Sequence, residues 1–263
     1  MEEGVTEVKK SVKQFYEERL NVDSNSWTPV CYHPGGIELT EKIAEKIGSQ
    51  QGLEILDVAS GAGSTAYYLV TNFSWRVVGV DLSLKMVKYA STWTRMLDLH
   101  EVSFIAGDSE SLPFKDNTFD AAISECSLCL FPDKLKVLKE MGRVIKPGAK
   151  IVISDVFLKK TLPNETNGFL LYTDCISGAE TLENYMDKFR KAGLINVESE
   201  DVSSHVINLI CQFLKDQKRS VEEVLNFEVK SSCKISWDLL QKISFHYWLS
   251  EKIGYCIISG VKP

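Results

Sequence analysis

Apolar residues recur along this chain with two spacings, and the change from one to the other divides it. Val8, Val12, Phe15, Tyr16 and Leu20 stand three or four apart among Lys and Glu, which predicts an amphipathic helix over residues 5–20 with one buried stripe. Ile37, Ile43, Ala44 and Ile47 repeat that spacing up to Gly48. Between them, residues 21–36 are irregular and rich in turn formers. They carry Trp27, Cys31, Tyr32 and His33, and a stretch this long reads as a lid or a packed connector.

From residue 53 short apolar runs alternate with helical patterns. Strands are expected at Leu53–Val58, Trp75–Val80, Val102–Ile105, Phe119–Ser124 and Ile151–Asp155. Ser83 caps a helix carrying Met86, Val87 and Ala90, and Pro132 suits the first turn of a helix carrying Leu135, Leu138, Met141 and Val144. Strands separated by helices imply a parallel sheet covered on both faces. After residue 160 the pattern changes. Leu170–Ile176 looks helical, Leu182, Tyr185, Met186 and Phe189 mark a helix ending near Gly193, and Asn196–Val202 reads as a strand. Residues 204–250 look mostly helical, and Tyr255–Val261 alternates as a last strand.

The first strand runs into Asp57-Val-Ala-Ser-Gly61-Ala-Gly63-Ser64. A strand, a tight Gly turn and a helix start make a nucleotide-type cradle. Glycines let the backbone approach a ligand, and free N–H groups at the helix start face it. Gly61, Gly63 and Ala66 fit the dinucleotide pattern G-x-G-x-x-G/A, and Asp81 stands where a ribose-binding carboxylate would, as in NAD enzymes. The same residues with Asp57 fit D-x-x-x-G-x-G, the S-adenosylmethionine loop of class I methyltransferases.

Composition narrows the choice of partners. A formal net charge of −6 argues against a general nucleic-acid binder, which needs a basic face. No apolar run reaches the ~20 residues of a membrane span, and the acidic Met-Glu-Glu-Gly start is no signal peptide. A cytoplasmic protein with reduced thiols is expected, so the seven cysteines are read as free rather than as a disulfide framework. Cys126 and Cys129 form a single C-x-x-C, too few for a four-cysteine zinc site, and are expected to pack in the core or the site wall. Cys256, alternating in the last strand, is expected in the core, and Glu17, Glu18 and Arg19 on a solvated helix face. His33 is expected as a lid residue bonded to backbone.

Ala106-Gly107-Asp108-Ser109 after the third strand, Leu112-Pro113-Phe114 before the fourth and Arg143-Val-Ile-Lys-Pro147-Gly148 before the fifth complete a set. Over residues 50–160 this set resembles the class I S-adenosylmethionine-dependent methyltransferases. The resemblance implies a doubly wound, Rossmann-like α/β fold. Its seven-stranded, mostly parallel sheet would have helices on both faces, an N-terminal lid and a helical C-terminal insertion. It implies a core of residues 49–202 and 253–263, with the lid in 1–48 and the insertion in 203–252. It implies donor contacts from Asp57, Ala59, Gly61, Gly63, Asp81, Leu82, Met86, Gly107, Asp108, Ser109 and Ser124, with Asp57 pairing with the donor's amino group and Asp108 meeting the adenine edge.

Ser124-Glu-Cys126-Ser-Leu-Cys129-Leu-Phe-Pro-Asp-Lys134, Ile153-Ser-Asp-Val156 and Cys175-Ile-Ser-Gly-Ala179 resemble the arsenite methyltransferase family. The resemblance implies trivalent arsenic held by three cysteines that aim its lone pair at the methyl donor. Cys175 inherits one ligand role by position and Cys31 a second, while Cys211 and Cys233 compete for the third. It also implies a thiol reductant such as thioredoxin or glutathione. The chain departs from that family at Glu125, where the family has Asn, and in lacking its additional N-terminal cysteine pair. Two other readings stay open: methylation of a small organic acceptor (a quinone-type carbon or a thiol), and a catalytically silent donor-binding or metalloid-sensing domain.

Overall fold

The computed structural model describes residues 2–23, 33–160, 175–176, 178–216, 218, 220–226 and 245–263. Seven strands form one sheet: β1 (Glu54–Val58), β2 (Arg76–Asp81), β3 (Val102–Ala106), β4 (Phe119–Glu125), β5 (Ile145–Leu158), β6 (Ile195–Asp201) and β7 (Ile253–Val261). Their order is β3-β2-β1-β4-β5-β7-β6. The first five pair in parallel, and β7 runs antiparallel between β5 and β6. The order reverses between β1 and β4. At such a switch point the loops leaving two neighbouring strands diverge and open a crevice.

The helices are α1 (Glu2–Asp23), α2 (Gly36–Ile47), α3 (Ser64–Phe73), α4 (Leu84–Met96), α5 (Lys134–Val144), α6 (Leu182–Lys191), α7 (Ser203–Asp216) and α8 (Val221–Leu225). Alternate residues of each central strand face opposite layers. Ile55, Ile123, Val152 and Ile257 pack with Leu39 and Ile43 of α2, Leu69 of α3 and Val206 and Ile210 of α7. Leu56, Ala122, Ile151 and Ile258 pack with Leu138 and Met141 of α5 and Tyr185 and Phe189 of α6. Helix starts are capped as the sequence allows. The Met86 N–H donates to Ser83 Oγ at 3.1 Å, and the Asn184 N–H donates to Thr181 Oγ1 at 3.3 Å.

Several expectations shift. Asp133, accepting from the Lys136 N–H at 2.9 Å, caps α5, so Pro132 precedes the cap instead of entering the first turn. β5 begins at Ile145, which pairs with Phe119 of β4, and bonds from Lys262 to Gly148 and Ala149 hold the Pro147-Gly148 turn within the strand. In α1 only Leu20 of the predicted stripe is fully buried; Val8, Val12, Phe15 and Tyr16 are half-buried, since the helix packs on the core beside a cleft that Val12 and Tyr16 also line. Cys175 and Ile176 occupy a turn, not a helix, and the rest of the helix expected at Leu170–Ile176 lies outside the described residues. Beyond α8 and before a short helical stretch at 245–249, the predicted C-terminal insertion likewise lies outside them.

Candidate active site

The loop after β1 is bent by three positive φ angles: Ala59 at 61°, Gly61 at 52° and Gly63 at 89°. For Ala59 this conformation costs about 1–2 kcal/mol. Hydrogen bonds hold the bend: Ser60 N–H to Val80 O at 3.1 Å, and Gly61 N–H to Asp81 Oδ2 at 2.9 Å. Asp81 Oδ1 accepts from the Ser83 N–H, so one carboxylate ties the cradle to the start of α4. Gly63 admits no side chain. A Cβ there would stand 2.6 Å from Phe104 and 2.8 Å from Tyr67.

These elements line a single cleft at the switch point. The end where the donor is expected is lined by Asp57, Ala59, Gly61, Asp81, Leu82, Met86, Asp108 and Ser109. Three other residues named from the sequence lie behind that surface. Gly63 starts α3. Gly107 donates its N–H to Asp81 O at 2.9 Å. Ser124 is fully buried, and its hydroxyl donates to Val58 O at 2.7 Å.

Asp57 is 2% exposed, and its Oδ2 has no hydrogen-bond partner among the described residues. Burial pushes its carboxyl up to about 8. The nearby Glu125 and Asp81 charges push the same way, and His33 opposes them. A buried carboxyl facing a cleft with an unused oxygen is what a ligand cation would satisfy. The α-ammonium of S-adenosylmethionine is such a cation, and Asp81, at the mouth of the same loop, retains lone pairs for ribose hydroxyls. The residues fit that donor.

Helix α1 roofs the cleft through Lys9, Val12, Lys13 and Tyr16. Lys9 Nζ lies 2.8 Å from Asp108 Oδ2 and 3.0 Å from Glu110 Oε2. Burial works against the lysine's charge, but these two carboxylates outweigh it and raise its pKa. The same pairing lowers Asp108 despite partial burial. Glu17, expected on a solvated face, instead accepts from Ser83 Oγ at 2.5 Å, and its carbonyl accepts from Lys85 Nζ at 2.7 Å.

The other end of the cleft is walled by Glu125, Cys126, Ser127 and His33. Glu125 Oε1 accepts from Thr40 Oγ1 at 2.8 Å and Thr65 Oγ1 at 2.9 Å; Oε2 accepts from Ser154 Oγ at 3.3 Å and lies 3.5 Å from His33 Nδ1. His33 thus faces a carboxylate as well as Thr65, rather than backbone alone. The one residue where the chain leaves the S-N-C pattern therefore knits α2, α3 and β5 together. A carboxylate ending an apolar strand was the available sequence signal for this network.

Cys126 and Cys175 meet here, Sγ to Sγ at 3.5 Å, although 49 residues separate them. Both have positive φ, 52° and 64°. Tyr16 Oη lies 3.6 Å from Cys175 Sγ. Cys129, fully buried, lies beside them, and its N–H donates to Asp155 Oδ2 at 2.9 Å. The contact with Cys175, then burial, raises the Cys126 thiol well above its ordinary value; burial first and the same neighbour second raise Cys129. Burial and the Cys175 charge push Asp155 up to about 7. Cys126 and Cys129 are therefore protonated at neutral pH.

Of the partners expected for Cys175, only Cys211 is among the described residues. Cys211 is half-buried on α7 and does not line the cleft, and Cys31 and Cys233 lie outside the described residues. Among the described residues no group of three His, Cys, Asp or Glu side chains is arranged to hold a metal ion. Cys256 is fully buried, as an alternating residue of β7 should be.

A doubly wound sheet with a Gly-rich cradle at its switch point and an acidic residue ending each of β1 and β2 defines the architecture of class I S-adenosylmethionine-dependent methyltransferases. The chain belongs to the methyltransferase domain family, which it matches over residues 49–193. It is 32% identical over 185 residues to Methyltransferase GfsG of Streptomyces halstedii, covering 69% of this chain and 66% of that protein. It is 33% identical over 168 residues to the arsenite methyltransferase of Aquipseudomonas alcaligenes, covering 58% and 48%. Phosphoethanolamine N-methyltransferase of Triticum aestivum is 28% identical over 192 residues, 73% of this chain but only 37% of that enzyme. The chain thus spans about two fifths to two thirds of these relatives.

Among solved structures, Haemonchus contortus phosphoethanolamine N-methyltransferase 2 in complex with S-adenosyl-L-methionine superposes with a TM-score of 0.74 at 21% identity, over 94% of this chain and 60% of that one. The [4+2]-cyclase SpnF superposes at 0.72 and 21% identity, over 97% of both chains. A fold shared with a cyclase does not choose the reaction; the residues of the cleft must. No helix among the described residues is long and apolar enough to cross a membrane.

Proposed function

We propose that this chain transfers a methyl group from S-adenosylmethionine to trivalent arsenic held by Cys126 and Cys175. The observation that carries this reading is the 3.5 Å approach of the two sulfurs at a wall of the donor cleft. Soft thiol ligands favour soft acceptors. The 33% identity to an arsenite methyltransferase supports the same acceptor. Bound at Asp57 and Asp81, the donor supplies a methyl group on a cationic sulfur.

The chain's own residues do the rest. Neutral arsenous acid exchanges two hydroxyls for the two thiols. Each new S–As bond replaces an As–O bond, and each thiol proton leaves with hydroxide as water, so no redox change occurs. The arsenic keeps its lone pair, which makes a general base unnecessary for attack on carbon. Fixing that lone pair in line with the methyl group supplies the rate, because well-oriented reactants gain roughly 7–11 kcal/mol over free ones. The new As–C bond uses the lone pair, and the broken S–C pair stays on sulfur. Arsenic is thereby oxidised to the pentavalent state, so a further round needs two electrons from a thiol reductant such as glutathione or thioredoxin.

The test uses purified protein, donor, arsenite and glutathione, with arsenic species separated by chromatography. Methylated arsenic is expected, and Cys126→Ser or Cys175→Ser should each lower its rate at least 100-fold. Cys211→Ser should change it less than twofold. Turnover on an amine or quinone with none on arsenite would overturn the reading, as would full activity of either site variant.

A further inference from the structure

Helix α1 touches both ends of the cleft. Near its start, Lys9 pairs with Asp108 and Glu110 at the donor end. Two turns on, Tyr16 Oη shares a hydrogen bond with Cys175 Sγ at 3.6 Å, and the adjacent Glu17 holds Ser83 at the start of α4. Between these contacts Val12 and Lys13 line the cleft. Leu20 is buried and Val12 and Tyr16 pack partly buried against the core, and the polar contacts of Lys9, Tyr16 and Glu17 add to this docking. A rigid helix held at two points transmits a loss at one point to the other.

We infer that Tyr16 is a positioning residue that couples the closure of α1 over the donor to the state of the Cys175 thiol. The identity of the acceptor rests on the function proposed above; the coupling itself does not. With Cys175 a free thiol, the Tyr16 contact holds α1 down and slows exchange of a ligand in the donor end. When Cys175 is bonded to an acceptor atom its proton is gone, so it can no longer donate, and its sulfur shares its remaining lone pairs with the acceptor's surroundings. The Tyr16 contact weakens, and α1 lifts more readily. By linkage, a ligand in the donor end that favours the docked helix shields Cys175 in return.

The experiment has two arms on the full chain. In the first, the dissociation rate of S-adenosylhomocysteine is measured with and without arsenite. Arsenite should speed dissociation about fivefold, the size that one hydrogen bond of about 1 kcal/mol gives. Tyr16→Phe should be about fivefold faster from the outset and should not respond to arsenite. Lys9→Ala should also be faster but should keep the response. In the second, the rate of Cys175 alkylation by iodoacetamide is followed by mass spectrometry. S-adenosylhomocysteine should protect Cys175 in the wild type and protect it about fivefold less in Tyr16→Phe.

Equal protection and equal dissociation rates in wild type and Tyr16→Phe would overturn the coupling. Arsenite that leaves the count of reactive thiols unchanged, alongside weakened protection in Tyr16→Phe, would uphold the coupling and remove the arsenite reading.

Discussion

Replacing Asp57 with Asn removes a carboxyl that is almost fully buried, lacks a partner at Oδ2 among the described residues and is pushed up to about 8. At pH 7 such a group is about nine-tenths protonated. Pairing with the ammonium of S-adenosylhomocysteine requires the carboxylate, so binding should expel about 0.9 proton at that pH. Affinity should then rise about tenfold per pH unit between pH 6 and 7, or about 1.4 kcal/mol, and level off near 8. Titration calorimetry at pH 7 in buffers of different ionisation enthalpy reads the proton count directly. Asp57→Asn should release no proton, should lose the pH dependence, and should bind about 10- to 100-fold more weakly at pH 8, where the lost charge-assisted bond is no longer offset by deprotonation. Buffer-independent heats in the wild type would refute the reasoning, as would an unchanged proton count in the variant.

In the ligand-free protein the same shift sets a trend in stability. The unfolded carboxyl titrates near 3.8, so the folded chain keeps the proton over a wider range. This contribution is fully present below that value and is lost as pH rises towards 8.

Two further predictions concern the scaffold. Gly63→Ala puts a methyl group at positive φ and 2.6 Å from Phe104, and should cost about 2–4 kcal/mol in urea denaturation; Gly142→Ala, in the last turn of α5 with nothing within 4 Å, should gain up to about 0.5–1 kcal/mol. Arg143 bonds Glu140, Asp116 and the carbonyls of Leu112 and Phe114, so Arg143→Ala should lower stability by about 1–3 kcal/mol, towards the lower figure because the side chain is 31% exposed. Arg143→Lys should recover only part, since a single ammonium cannot span the forked set of partners.

Periodicity made the sheet legible because strand and helix patterns are local. Apolar runs at Leu53–Val58 and Phe119–Ser124 are buried on both faces whatever their neighbours are, and the strand β1, the cradle and Asp81 stand within one βαβ unit. The capping serine of α4 is local for the same reason. Less legible was anything set by residues far apart. The α1 stripe has the right spacing for a core helix, but spacing does not say whether the facing surface is core or cleft. Glu17 looks solvated in the sequence because its partner Ser83 arrives from 66 residues away.

The cysteines show the same division most sharply. The sequence by itself determined that a strand ending in Ser-Glu-Cys-Ser-Leu-Cys and a Cys-Ile-Ser-Gly-Ala turn were present, and its resemblances directed attention to Cys175. Only the tertiary structure decided that Cys126, rather than Cys211, reaches Cys175 among the described residues. The reason is topological. β4 and β5 are parallel neighbours, so Cys126 leaves the sheet beside Ser154, whose carbonyl accepts its N–H at 2.8 Å. The chain returning after β5 then lays Cys175 against it. One-dimensional spacing carries no trace of that return, and no trace of the helix that reaches over both.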